Sequence, residues 1–152
     1  MPDIIHRLGT TAPLATVYDA LATVSGIAGW WTRATTGTST VGERITSRFH
    51  APDGTEVGVF VYEVRDLVPG QRVRWHVIEG PEEWVGTDIE FHIAQEGEHS
   101  IVLFAHRGWR EAVPFMAHCS MKWATFLLSL RAYVETGTGR PAPDDLKIDN
   151  WN

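Results

Sequence analysis

The stretch that most constrains what this chain can fold into is Val113–Glu135, VPFMAHCSMKWATFLLSLRAYVE. Its large apolar residues are Phe115, Met116, Cys119, Trp123, Phe126, Leu127, Leu130 and Val134. They recur every three or four positions and so share one face of an α-helix. Pro114 suits the first turn, where its missing N–H is no loss, and Gly137 supplies a left-handed stop. The opposite face carries His118, Lys122, Thr125, Ser129 and Arg131. Burying the apolar face would contribute roughly 12–24 kcal/mol, an upper bound before the entropy of ordering. A lone helix cannot bury such a face, so a broad apolar surface must lie beneath it.

The preceding residues supply a sheet. Ile4–Thr10 alternates as a strand does. Pro13 then opens a helical segment in which Leu14, Val17, Tyr18 and Leu21 share a face. A second short helical piece spans Ser25–Trp31, weakened by Gly26 and Gly29, and the polar stretch Thr32–Thr40 reads as a loop or edge segment. From there, strands alternate with proline- and glycine-marked turns. They are Arg44–His50, Glu56–Leu67, Gln71–Ile78, Trp84–Gln95 and Ser100–Arg107. The fold class expected is α+β, with six to seven antiparallel strands curled around the C-terminal helix and two short helices after the first strand. One domain accounts for all 152 residues, with a core over about 3–141 and a tail at 142–152 that reads as an irregular extension or as partly disordered.

Composition narrows the function classes. A formal net charge of −6, without a basic run, argues against nucleic acid or an anionic membrane surface as partner. One cysteine rules out an internal disulfide, and the N-terminus lacks the charged and apolar regions of a signal peptide. No apolar run reaches the length of a membrane span. The expectation is a cytoplasmic protein. Seven tryptophans are many, and imply an aromatic core or an aromatic-lined cavity.

The particular residues resemble the START-like (SRPBCC) superfamily with its helix-grip fold, in the branch named after the heat-shock ATPase activator homologues. The resemblance rests on Pro13 with Val17, Tyr18, Ala20 and Leu21; on Gly29-Trp30-Trp31; and on Val73 with Trp75. It continues through Trp84, Gly86, Thr87, Ile89 and Phe91, then Phe104, His106, Gly108 and Trp109, and ends on the helix with Cys119, Trp123, Leu127, Ser129, Leu130 and Tyr133. Members range from lipid carriers and hormone receptors to polyketide cyclases and co-chaperones, so the fold alone does not name an activity. The resemblance implies a cavity for a small hydrophobic ligand between sheet and helix. Its lining candidates are Trp31, Trp75, Phe91, Phe104, His106, Trp109, Met116, Cys119 and Trp123. The same aromatics could instead simply fill the core.

Few residues invite chemistry. His106 shares strand parity with Val102 and Phe104; facing inward, it is either a pocket's polar handle, able to exchange a proton, or a satisfied core histidine. Cys119 sits among apolar helix residues, which favours an inert thiol. Asp88, Glu90 and His92 alternate along a strand face that reads as solvated, and no metal-ligand spacing occurs. Gly108-Trp109 and the turn Glu79–Glu83 read as hinge or lid material at a cavity mouth, or as mere turns. No cofactor, metal site or catalytic set is expected. The alternatives to simple ligand binding are a cyclase or dehydratase using His106 as acid or base, and a chaperone-regulating interaction domain. A homodimer, through tryptophans near Trp84 and Trp151, stays open.

Overall fold

A computed structural model describes residues 1–152. Seven strands form a single curved antiparallel sheet: β1 (Ile4–Thr10), β2 (Ala34–Gly37), β3 (Arg44–His50), β4 (Glu56–Val68), β5 (Arg72–Glu79), β6 (Asp88–Glu96) and β7 (His99–Arg107). Their order is β1-β7-β6-β5-β4-β3-β2, a meander with the first strand returned to the far edge. Helices α1 (Leu14–Ala22) and α2 (Val24–Trp30) carry the chain between the two edges. Helix α3 (Pro114–Thr136) carries its apolar face in the same core as the sheet's inward residues. Register irregularities in β4, at Val61/Tyr62 and Val64/Asp66, fall where a long strand must bend. This is the α+β helix-grip arrangement that the apolar stripe of α3 demands.

The inward parity is as the alternation predicts. Val73, Trp75 and Val77 on β5, Ile89, Phe91 and Ile93 on β6, and Val102, Phe104 and His106 on β7 are all buried. They meet Cys119, Trp123, Phe126, Leu127 and Leu130 of α3 in one core. Pro114 occupies the first turn of α3, and Gly137 ends it at φ 85°, its N–H donating to the Tyr133 carbonyl. The polar segment after Trp31 contains the edge strand β2, whose residues 34–37 pair with β3.

The glycines of α2 are sites of close approach. A Cβ on Gly29 would lie 2.3 Å from the Tyr133 ring, and one on Gly26 would lie 2.7 Å from the Ala20 Cα. Residues that weaken the helix locally thus let it pack against α1 and α3. Thr23 caps α2, its Oγ1 accepting from the Gly26 N–H at 3.0 Å.

Two expectations need correction. The strand read as Trp84–Gln95 begins only at Asp88, because Pro81–Thr87 forms successive tight turns with Gly86 at φ 85°. The turn swings Trp84 inward, so it is buried at 4% exposure and offers no surface for self-association; Trp151 is 57% exposed. On the polar side of α3, Lys122 and Ser129 are buried. What covers them is the segment after α3, which forms no helix or strand yet is pinned along its length. Ala142 bonds the backbone of Trp31 and Arg33, and the Ser129 hydroxyl accepts from the Arg140 N–H at 2.7 Å while donating to the Trp30 carbonyl at 2.8 Å. No helix is long and apolar enough to cross a membrane.

Candidate functional site

The centre of the sheet is filled rather than hollow. Trp75 packs on Trp31 at 6.0 Å between ring centroids, on Tyr62 at 4.8 Å and on Phe91 at 5.1 Å; Phe104 packs on Trp123 at 4.6 Å. Aromatic rings at these separations leave no room for a guest. The space lies instead toward the far ends of β3 and β4, where Val57 and Gly58 bring little bulk. A partly open cavity of about 460 Å³ forms there. Its sheet wall is Phe49, Val57, Gly58 and Phe60; the β5–β6 loop adds Pro81, Glu83 and Trp84. Helix α3 contributes Phe115, His118, Cys119, Lys122, Trp123 and Phe126, with Trp31 at the floor and Trp151 and Asn152 of the tail at the rim.

Of the residues the sequence singles out, Trp31, Cys119 and Trp123 meet in this wall. Trp75, Phe91, Phe104 and His106 belong to the packed core behind it, and Met116 is half-buried against that core. Trp109 is buried and lines a neighbouring cleft of about 490 Å³ with Glu82, Arg110, Val113 and Pro114. Phe115, Glu83 and Trp151 are common to both spaces. The lining residues that sequence reasoning missed come from the ends of β3 and β4, the β5–β6 loop, α3 and the tail. Phe49 does share parity with the buried Ile45 and Ser47, and Phe60 with Tyr62 and Val64. That signal was available; the tail gave none.

His106 is fully enclosed, with both ring nitrogens engaged. The Trp123 indole N–H donates to its Nδ1 at 3.2 Å, which places the ring proton on Nε2, facing the Thr87 hydroxyl at 2.8 Å. That hydroxyl in turn donates to the Trp84 carbonyl at 2.5 Å. Every proton in the relay has one acceptor, and burial pushes the His106 pKa down to about 3, with Asp3 opposing weakly. This is a neutral structural histidine that ties β7, α3 and the β5–β6 loop together. Burial pushes the Cys119 thiol up to about 12, so it is a neutral wall atom and no nucleophile near pH 7.

The polar groups at the rim belong to α3. Lys122 Nζ donates to Asp145 Oδ2 at 2.5 Å and to the Leu146 carbonyl at 2.7 Å, and sits 5.2 Å from the Phe126 ring centroid. Burial raises the Asp145 pKa, but bonds from Lys122 and Lys147 outweigh it and hold the carboxyl below its ordinary range. His118 Nδ1–H donates to Asp149 Oδ2 at 2.7 Å, which likewise lowers the Asp149 pKa. The carboxylates of β6 are engaged elsewhere: Glu90 accepts from Arg107 and contacts His92, and Asp88 contacts His76. No group of three or more potential metal ligands converges.

Fold and cavity define a helix-grip protein with an aromatic-walled space under its long helix. The family described as Activator of Hsp90 ATPase homolog 1-like protein matches residues 11–135, and the chain belongs to that family, within the START-like superfamily. The Aha1 dimer from Colwellia psychrerythraea is 38% identical, with 91% of this chain and all of that chain covered, at a TM-score of 0.78. Protein CV1439 from Chromobacterium violaceum is 22% identical, covering 89% and 99% at 0.72. DynU16, from the dynemicin biosynthetic locus, is 19% identical, covering 90% and 48% at 0.70. The last two show the fold alone. No curated protein matches the chain.

Proposed function

We propose that this protein binds a small, largely apolar molecule in the cavity between β3–β4 and the N-terminal half of α3. The observation that carries the reading is the wall itself: Trp31, Phe49, Phe60, Trp84, Trp123 and Phe126 surround an unfilled space of about 460 Å³, with a few polar groups at one rim. Pockets for small molecules have that composition and size. Binding rather than catalysis is favoured because His106, the buried histidine, is neutral and locked in its relay.

Gly58 offers a clean test. It faces the cavity, its φ is not positive, and a Cβ there would meet nothing within 4 Å. Gly58→Phe should fill the space without straining the strand. Native mass spectrometry and titration with an environment-sensitive naphthalene or anthracene dye should show binding to the wild type that Gly58→Phe loses, while the far-UV spectrum stays unchanged. Equal binding by both proteins would place the ligand elsewhere and overturn the reading.

A second copy of the chain is the other partner the observations favour. The 38% identical relative is a dimer, and α3 leaves Met121 57% and Leu128 49% exposed on its outer side. Sedimentation velocity of the wild type against Met121→Glu/Leu128→Glu tests this, with a monomeric wild type as the contrary result.

A further inference from the structure

The residues that close the cavity rim present a carboxylate and an aromatic ring in fixed relation. Asp149 Oδ1 accepts from the N–H groups of Trp151 and Asn152 at 2.9 and 3.2 Å, and this turn sets the indole beside the carboxyl group. The other oxygen, Oδ2, takes the His118 Nδ1–H at 2.7 Å. The indole lies edge-on to His118 at 5.4 Å between centroids and 6.3 Å from Phe115. All three side chains that receive or present these groups, His118, Phe115 and Trp151, are in the cavity wall. Trp151 keeps more than half its surface in water, so little apolar burial holds it in place. Asp149 has a partly exposed side chain and its bond to His118 is of the kind that solvent weakens.

We propose that the Asp149–Trp151 turn is a built-in stand-in for the ligand, and that the site takes flat aromatic carboxylates, which displace it. This rests on the reading of the cavity as a ligand site and names the class it accepts. The ligand's carboxylate replaces that of Asp149 on the His118 N–H, while the Lys122 ammonium keeps its own partner, Asp145. Its ring system goes where the indole edge was and on into the aromatic space beyond, which the indole itself does not fill. Glu83, the one carboxylate in the wall, is exposed on the opposite loop and free to extend into solvent. Because Trp151 also borders the Trp109 cleft, its departure joins the two spaces and widens access to the cavity.

The test uses the full chain and two probes of the same shape, 2-naphthoate and naphthalene-2-carboxamide, titrated by calorimetry. A hydrogen bond to a charged group predicts that the acid binds about tenfold more tightly than the amide. His118→Ala should erase that preference and leave amide binding intact. Asp149→Ala should tighten naphthoate binding, since no internal carboxylate remains on His118, and Trp151→Ala should tighten it by clearing the indole from the rim. Hydrogen exchange adds a readout that no folding defect mimics: naphthoate should speed exchange at the Trp151 and Asn152 amides of the wild type while slowing it in α3. Equal affinity for both probes overturns the carboxylate preference and leaves the cavity reading standing. Weaker naphthoate binding in Asp149→Ala overturns the stand-in, because the turn would then be part of the site. Failure of both probes to bind overturns this inference together with the reading it rests on.

Discussion

His106 shows how much a single buried side chain can hold and what it costs. Its ring is uncharged because the unpaired charge would be enclosed by Trp84, Trp109 and Trp123. In the unfolded chain the same imidazole takes a proton near pH 6.5; in the folded one it does so only near pH 3. Above pH 6.5 neither state is protonated and the residue contributes no pH dependence. Below it the unfolded state binds the extra proton, so stability falls with decreasing pH down to about pH 3, at up to about 1.4 kcal/mol per pH unit. Gln at this position keeps an acceptor for Trp123 and a donor for Thr87 but has no proton to take up. His106→Gln should therefore cost stability at pH 7 yet flatten the acid limb. Urea unfolding at pH 7, 5.5 and 4 measures this, and parallel curves for the two proteins would contradict a neutral, buried His106.

At the scale of elements, the segment after α3 behaves as an eleventh structural piece, without regular secondary structure, beside the seven strands and three helices. Its anchor is Asp145, with 2% of its side chain exposed, held by Lys122, Lys147 and the Asn152 side-chain amide. Lys122→Met should remove the buried ammonium and leave the carboxylate with its weaker partners. Breaking a buried pair in this way costs about 3–5 kcal/mol, and the surviving Lys147 contact argues for the lower end. Urea titration gives the loss, and a value within error of wild type would mean the pair is solvated. The strands and α3 were legible because periods of two and 3.6 leave a mark on sequence, and Pro114 and Gly137 mark the helix ends. This segment was not. Lys122 and Ser129 look like solvent-facing helix residues, and nothing near them in sequence announces that Asp145 and Arg140 fold back to meet them. Which aromatics border the cavity was not legible for a related reason. Parity tells which side chains point inward, but not whether they touch, and Trp75, Phe91 and Phe104 close on one another while the small residues Val57 and Gly58 open the space.

For the whole molecule, the cavity's position would tie the proposed ligand binding to global stability. Its wall draws on β3, β4, the β5–β6 loop, the end of α2, α3 and the tail, so no single element can unfold and leave the site intact. A molecule that binds only the folded state stabilises by about 2.7 kcal/mol at one hundred times its Kd. For a chain of this size each kcal/mol raises the melting temperature by about 2–4 °C, giving a shift of roughly 5–10 °C. Under the stand-in arrangement the tail must leave its place at the rim, which removes the His118–Asp149 bond and the indole contacts from the complex. Asp149→Ala, already without the His118 bond, should start from a slightly lower melting temperature and gain more from 2-naphthoate than the wild type does. Gly58→Phe should gain nothing. Differential scanning calorimetry of the three proteins at matched probe concentrations orders the shifts: Asp149→Ala first, wild type second, Gly58→Phe at zero. A wild-type shift larger than that of Asp149→Ala would make the tail a clasp that grips the ligand instead of yielding to it.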